Sequence, residues 1–398
     1  VSLSKKESKR FLITKGEKCL REVVIVEAVR TPVGKRNGML SLIRPDELLA
    51  MVLKEITERA GVEASYVEDV IAGCVTQTSE QANDIARLAV LIAGYPMTVP
   101  GVTIDRQCGS SQQAVHFACQ AILSGDMDVV IACGVENMSR VPMLSNLQGA
   151  RNSKQLTDRY EIINQGLSAE RIAEQWGFTR EELDHFSLES HEKAVRAIKE
   201  GRFDREIMKI ITESGMMNND EGPRENTSME KLAALEPPFI KTGKITAGNA
   251  SQISDGAAAI LLMSREKAEE LGVRPRFRVI SRSVVGSDPT LMLTGPVAAT
   301  EKALEKAGMN LSDIDLFEVN EAFASVPLQW LKETGANPAK LNVNGGAIAL
   351  GHPLGATGAR VMTTLVHELE RQNKKYGLQA ICEGFGMANA TIIERLEQ

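Results

Sequence analysis

His352 stands in the stretch GGAIALGHPLGATGAR, residues 345–360, where glycines surround one imidazole and one proline. A glycine-rich turn opening onto a helix is a common phosphate cradle. Here, however, no glycine is followed by Lys and then Ser or Thr, and glycines 351, 355 and 358 lack the spacing of a dinucleotide fingerprint. What remains is a turn stripped of side chains, with Pro353 biasing His352 toward an extended backbone and so fixing the exit direction of the ring. The alternative is a tight turn with an incidental histidine. Cys108 lies in IDRQCGSSQQAVHFACQAILSG, a polar turn before an apolar helix that ends at Gly125. With Ser110 or Ser111 as cap, the thiol sits at a helix N-terminus, where free N–H groups and the dipole favour a thiolate nucleophile. Packing is the competing reading, because most lone cysteines are core residues. Cys119 and Cys133 fit that description within an apolar helix and strand, and Cys19 and Cys74 have no setting comparable to Cys108. Cys382 opens CEGFGMANA, and a second thiol at a loop is either a proton carrier or a strand-end residue. Asn320, with Glu321 in VNEAFA, either caps the next helix or orients a water.

These residues need a scaffold. Short Val/Ile-rich runs (EVVIVEAV, VEDVIAGCV, DVVIACG, IDLFEVN, LQAICEG) alternate with amphipathic segments such as PDELLAMVLKEITERAG. The alternation predicts α/β layers with sheets covered on both faces. The order also recurs: ERAGVEASYVEDVIAG at 58–73 resembles EKAGMNLSDIDLFEVN at 305–320. The offset from Gly61 to Gly308 carries Cys108 close to Gly355 and Cys133 close to Cys382. Two similar halves about a pseudo-twofold axis would bring the Cys108 and His352 loops together. Residues from about 140 to 250 read differently, as a polar, irregular insertion of the kind that forms binding loops. Its His185 and His191 are expected on a solvated or partly buried helix face, without a metal.

The 398 residues suffice for a large core, and 43% hydrophobic with 25% charged residues is ordinary for a soluble protein. Net charge −6 and 4% aromatic content offer neither a basic surface nor stacking platforms, which speaks against nucleic-acid binding. No apolar run approaches the roughly 20 residues of a membrane span. Six cysteines without a CxxC pair fit a reducing compartment. Residues 1–20 read as a basic, polar extension without the apolar core of a secretory signal, so a cytoplasmic protein is expected.

Taken together, the motifs resemble those of the thiolase family. The markers are CGSSQQA at 108, AGNASQISDGAAA at 247, VNEAFA at 319, NGGAIALGHPLGATGAR at 344 and CEGFGMANA at 382, and the likeness runs from VVIVEAVRTPVGKRNG to ATIIERL. The resemblance implies an α/β fold of two βαβαβαββ halves stacked as five αβαβα layers. The corresponding boundaries are a 1–20 extension, a first half at 21–139 plus 250–275, an inserted CoA-binding loop domain at 140–249, and a second half at 276–398. By the same resemblance, Cys108 is the acylated nucleophile, His352 activates it, and Cys382 is the second acid/base. Asn320 would hold a water that forms one oxyanion hole with His352, and the N–H groups of Cys108 and Gly384 would form the other. Arg224 matches the adenine-side contact and Ser251 the pantetheine-side contact. The implied reaction is reversible thiolysis of 3-ketoacyl-CoA, with coenzyme A as substrate, no metal or redox cofactor, and a homodimer or homotetramer as the assembly. A β-ketoacyl synthase or a silent CoA-ester binder would share the fold, but the first would lack Cys382 and the second a Cys or His. Two positions depart from the pattern. Phe385 replaces the middle glycine of C-x-G-G-G, placing its ring either in the acyl pocket or turned away, and Gln165 stands where many biosynthetic members carry Met.

Overall fold

The computed structural model of the protein describes residues 21–397, and the expected N-terminal extension lies outside them. The chain enters through strand β1 (Val23–Arg30). Helix α1 (Pro45–Ala60) starts with proline and two acidic residues in its first turn and stops at Gly61, whose φ of 66° is the left-handed cap that glycine adopts without strain. Strand β2 (Asp69–Gly73), helix α2 (Ile85–Ile92), strand β3 (Gly101–Ile104), helix α3 (Ser110–Ser124) and strand β4 (Val129–Asn137) follow. The chain then leaves the sheet for a segment containing helices α4 (Gln165–Gln175) and α5 (Arg180–Lys199), the latter opened by a Thr179/Glu182 capping box. It returns as β5 (Ser254–Ser264). The remainder is β6 (Phe277–Gly286), α6 (Pro296–Ala307), β7 (Leu316–Val319), α7 (Ser325–Thr334), α8 (Thr357–Arg371), β8 (Tyr376–Glu383) and β9 (Met387–Arg395).

The repeat seen in the sequence is structural. The offset that carries Gly61 at the end of α1 onto Gly308 at the end of α6 also carries the first residue of α3 onto that of α8. It likewise carries the starts of β2 and β4 onto those of β7 and β8. Strand order matches too, running β3-β2-β4-β5-β1 in the first half and β7-β8-β9-β6 in the second. Among the described residues, the halves pair edge to edge through Val24↔Arg278 and Ile25↔Phe277, next to an Arg276 N–H bond to Ile25 O.

Side-chain alternation assigns the layers. In β4, Val129, Ile131, Cys133 and Val135 join the core beneath α1 and α2. Val130 and Ala132 join the opposite core, with Ala118 of α3 and Met362 of α8. Trp330 of α7 and Ala303 of α6 cover the second half over Phe317 and Leu378. The stack is helix, sheet, helix, sheet, helix, with α3 and α8 in the middle layer. Helices α4 and α5 pack on the second half, where Ile172 and Leu183 meet Leu293, Phe323 and Val326. Among the described residues, no helix is long and apolar enough to cross a membrane.

The central helices cross without room for a side chain, because a Cβ at Gly358 in α8 would lie 2.1 Å from the Gln112 backbone nitrogen in α3. G358A should therefore cost about 1–3 kcal/mol through overpacking. The measurement is the denaturant midpoint, and an unchanged midpoint would contradict the close crossing.

Candidate active site

Cys108 ends the loop between β3 and α3. The expected serine cap is corrected by the structure: Gly109 is the N-cap and no side chain caps the helix. Ser110 Oγ instead donates to Gln107 O at 2.6 Å and accepts from the Arg106 N–H at 2.9 Å, closing the turn in front of the helix. Ser111 Oγ accepts the Ala359 N–H at 2.9 Å, tying α8 to α3. The Cys108 side chain is buried among Val75, Met138, Leu354 and Ile381. Burial raises its thiol well above the usual range, and negative charge at Cys382 or Glu383 would raise it further. Desolvation thus works against the thiolate that the helix N-terminus is expected to favour.

His352 follows a helical turn, Ala347–Leu350. Its N–H donates to Ser254 Oγ at 3.0 Å, and its ring Nδ1 lies 2.6 Å from Thr357 Oγ1. Ring Nε2 is buried with no partner. Burial, with the Arg360 charge adding, lowers the imidazole to about 3 and leaves it neutral. Cys382, near the end of β8, is fully buried and its thiol is pushed up to about 12 by desolvation. Asn320 follows β7 and donates its N–H to Ala380 O at 3.0 Å, while both polar atoms of its side chain are buried and unpartnered. Gly384 lies on the β8–β9 turn, where an added Cβ would meet Gln107 Oε1 at 3.1 Å and Gln165 Nε2 at 3.4 Å.

The fold therefore gathers Cys108, the His352 loop, Cys382, Asn320 and Gly384, which come from four separate stretches of chain. A buried polar atom without a partner is costly. His352 Nε2 and the Asn320 amide are groups of that kind, suited to substrate or a water. Among the described residues, no group of three or more His, Cys, Asp or Glu side chains is placed to hold a metal.

Arg224 is not at the thiols. It lines a cleft of ≈ 260 Å³ whose other walls include Lys231, Leu232, Leu235, Gln252 and Ile348. Ile348 belongs to the turn that leads into His352, so the cleft reaches the back of that loop. Ser251 precedes Gln252 and donates its N–H to Ala322 O at 2.9 Å, close in sequence to Asn320. His191 departs from the expected helix-face position. It is buried, accepts the Arg224 N–H on Nδ1 at 3.2 Å, and is lowered to about 4 by burial and the Arg224 charge. His185 is solvent-exposed as expected.

Comparison with known proteins matches residues 23–266 to "Thiolase, N-terminal domain" and residues 273–395 to "Thiolase, C-terminal domain". The chain belongs to the thiolase family. It is 52% identical to a steroid 3-ketoacyl-CoA thiolase of Mycobacterium tuberculosis, covering 95% of each chain. It is 42% identical to a 3-ketoacyl-CoA thiolase of Bacillus subtilis, over 94% of this chain and 100% of the other. The crystal structure of the Bacillus anthracis acetyl-CoA acetyltransferase superposes with a TM-score of 0.87 at 43% identity, covering 95% of this chain and 99% of that one.

Within this thiolase-family enzyme the sequence reading passed over several groups at the site. Thr357 stands inside the glycine-rich stretch, and only the three-dimensional turn shows it facing the His352 ring. Glu136 in VVIACGVE accepts the Gly355 N–H, and its polarity at the end of an apolar strand was the available signal. Glu383 is fully buried with both carboxyl oxygens unpartnered, and burial pushes it up to about 8. Phe385 takes a φ of 64°, a left-handed backbone that costs a non-glycine residue about 1–3 kcal/mol, and its side chain is half exposed.

Burial pushes the Cys108 thiol up and lowers the His352 imidazole to about 3, and both shifts disfavour an ion pair between them near neutrality. Alkylation of Cys108 by iodoacetamide should accelerate with pH from about 6 to 9, following the thiolate fraction. A fast, pH-independent rate over that interval would contradict the neutral resting state.

Proposed function

We propose that the protein catalyses CoA-dependent thiolysis of 3-ketoacyl-CoA through an acyl-Cys108 intermediate. The observation that carries this reading is the pair of buried, unpartnered polar groups, His352 Nε2 and the Asn320 amide, on segments packed near the two cysteines. Leu354 joins the cluster around Cys108, and the Asn320 N–H donates to Ala380 O, two residues before Cys382. In the first half-reaction His352 Nε2 takes the Cys108 proton, and the sulfur attacks the keto carbon of the substrate. The C2–C3 bond breaks, the acyl group stays on Cys108, and acetyl-CoA leaves as an enolate that takes the Cys382 proton. In the second, coenzyme A gives its thiol proton to Cys382 and attacks the acyl thioester. The acyl-CoA departs two carbons shorter, and Cys108 regains its proton from His352. The developing oxyanions would be held by protonated His352 with an Asn320-bound water, and by the N–H groups of Cys108 and Gly384. Neither N–H is bonded to a backbone carbonyl of a turn or loop among the described residues. In reverse, Cys382 would remove the α-proton of acetyl-CoA and two acetyl-CoA molecules would join.

Coenzyme A is read as the occupant of the Arg224 cleft. Arg224 and Lys231 bring positive charge without a carboxylate on the walls, and Leu232 and Leu235 provide an apolar face for the adenine. The pantetheine would then pass Ser251 toward His352. The 3-ketoacyl-CoA thiolases among the relatives support a 3-ketoacyl-CoA as substrate, and a role in fatty acid metabolism in the cytoplasm is proposed with it. A homodimer, or a tetramer built from it, is proposed through the edge strand β3, where Val102, Met97 and Leu91 leave apolar surface exposed.

Incubation with acetyl-CoA, digestion and mass spectrometry should place an acetyl group on Cys108. C382S should keep that label while losing thiolysis by about 10²-fold or more, the scale of a lost general acid/base. A label on another residue, or near wild-type thiolysis in C382S, would overturn the assignment.

A further inference from the structure

We infer that Thr357 is a positioning residue that decides which nitrogen of His352 carries the proton, keeping Nε2 a bare acceptor toward Cys108. The inference rests on the base role proposed for His352. Two contacts of one hydroxyl carry it. Thr357 Oγ1 lies 2.6 Å from His352 Nδ1 and 2.8 Å from the Pro353 carbonyl oxygen. A threonine hydroxyl has a single proton to donate, and a carbonyl oxygen only accepts. With the Thr357 proton given to Pro353, the hydroxyl oxygen accepts from Nδ1–H and both contacts are kept. A neutral imidazole has one N–H, which leaves Nε2 with a free lone pair.

The opposite arrangement gives up one of the two contacts. If Thr357 donated to Nδ1, its bond to the Pro353 carbonyl oxygen would be lost and the ring proton would sit on Nε2, a buried atom with no hydrogen-bond partner. The ring would also be unable to take a proton from Cys108 at that nitrogen. The position of the ring is fixed from a second side as well. The His352 N–H is held by Ser254 Oγ. Gly351 allows that approach, because its φ is 99° and an added Cβ would lie 2.4 Å from the same oxygen. Once Nε2 has taken the Cys108 proton, Nδ1–H still points to Thr357. The new Nε2–H then faces the site as a donor to the substrate oxygen, so one tautomer serves both steps.

The test combines a direct reading of the tautomer with kinetics. With ¹⁵N-labelled histidine, the ring shifts of His352, assigned by their loss in H352Q, should show Nδ1 protonated and Nε2 bare in the wild type. T357S keeps a hydroxyl and should preserve both that pattern and the rate of Cys108 acetylation. T357V removes the acceptor at similar volume, and should mix or reverse the tautomers while slowing acetylation about 10- to 100-fold, as when a ligand histidine loses its orienting partner. Wild-type His352 protonated on Nε2 would overturn the inference whether or not the valine variant folds. So would T357V with unchanged shifts and rate. Absence of any acetylation in the wild type would instead refute the proposed function, and the tautomer would still be read.

Discussion

One buried carboxylate holds the two halves in the register that the site requires. Glu136, at the end of β4, accepts the N–H groups of Val75 and Thr76, the Gln81 side-chain amide and, from the second half, the Gly355 N–H. That last bond pulls the backbone after His352 into the first half, between strands whose side chains have been removed to admit it. A Cβ on Gly73 or Gly134 would lie 2.7 or 2.3 Å from the Gly355 carbonyl oxygen. Leu354 is thereby set against Cys108. Burial alone raises the Glu136 carboxyl, and its hydrogen bonds counter the rise. Losing one of these partners would leave a buried polar group unpaired, so the joint is held by the cost of breaking it.

The chemistry follows from the dryness of this joint. Burial raises both thiols and lowers the His352 imidazole, so the uncharged forms of the three reacting groups are favoured before substrate arrives. The fixed groups face the places where charge would develop, and they act in a low-dielectric pocket where such contacts count for more than in water. A resting ion pair would need screening water or additional hydrogen bonds, whereas Cys108 packs with Val75, Met138, Leu354 and Ile381. The proposed mechanism therefore moves protons between neutral partners and leaves charge separation to the moment of reaction.

The fold was legible in the sequence because local signals agreed with one another. Gly61 and Gly308 end corresponding helices, and the offset between them locates α8 from α3 and β8 from β4. Motif setting brought out Cys108, His352, Cys382 and Asn320, while the repeat pointed only to the Cys108 and His352 loops meeting, and Leu354 of the latter does join the cluster around Cys108. Readings that depended on burial were less secure. The CGSS turn looked like a capped helix with a reactive thiolate, but Ser110 turns backward to Gln107 and the thiol is desolvated. His191 was expected on a solvated or partly buried helix face, and it proves buried because that face of α5 is covered by the segment around Arg224. Glu136 and Thr357 escaped notice because their importance lies in partners that no short window displays. Phe385 shows the same limit, since the sequence left the direction of its ring open.

The most direct test of the account is product analysis of a single 3-ketoacyl-CoA incubated with enzyme, with and without coenzyme A. The account predicts acetyl-CoA and an acyl-CoA two carbons shorter in equal amounts, with turnover only when coenzyme A is present. Without it, at most one acetyl-CoA per site should appear. Release of a free carboxylic acid, or intact substrate after incubation with coenzyme A, would contradict the account.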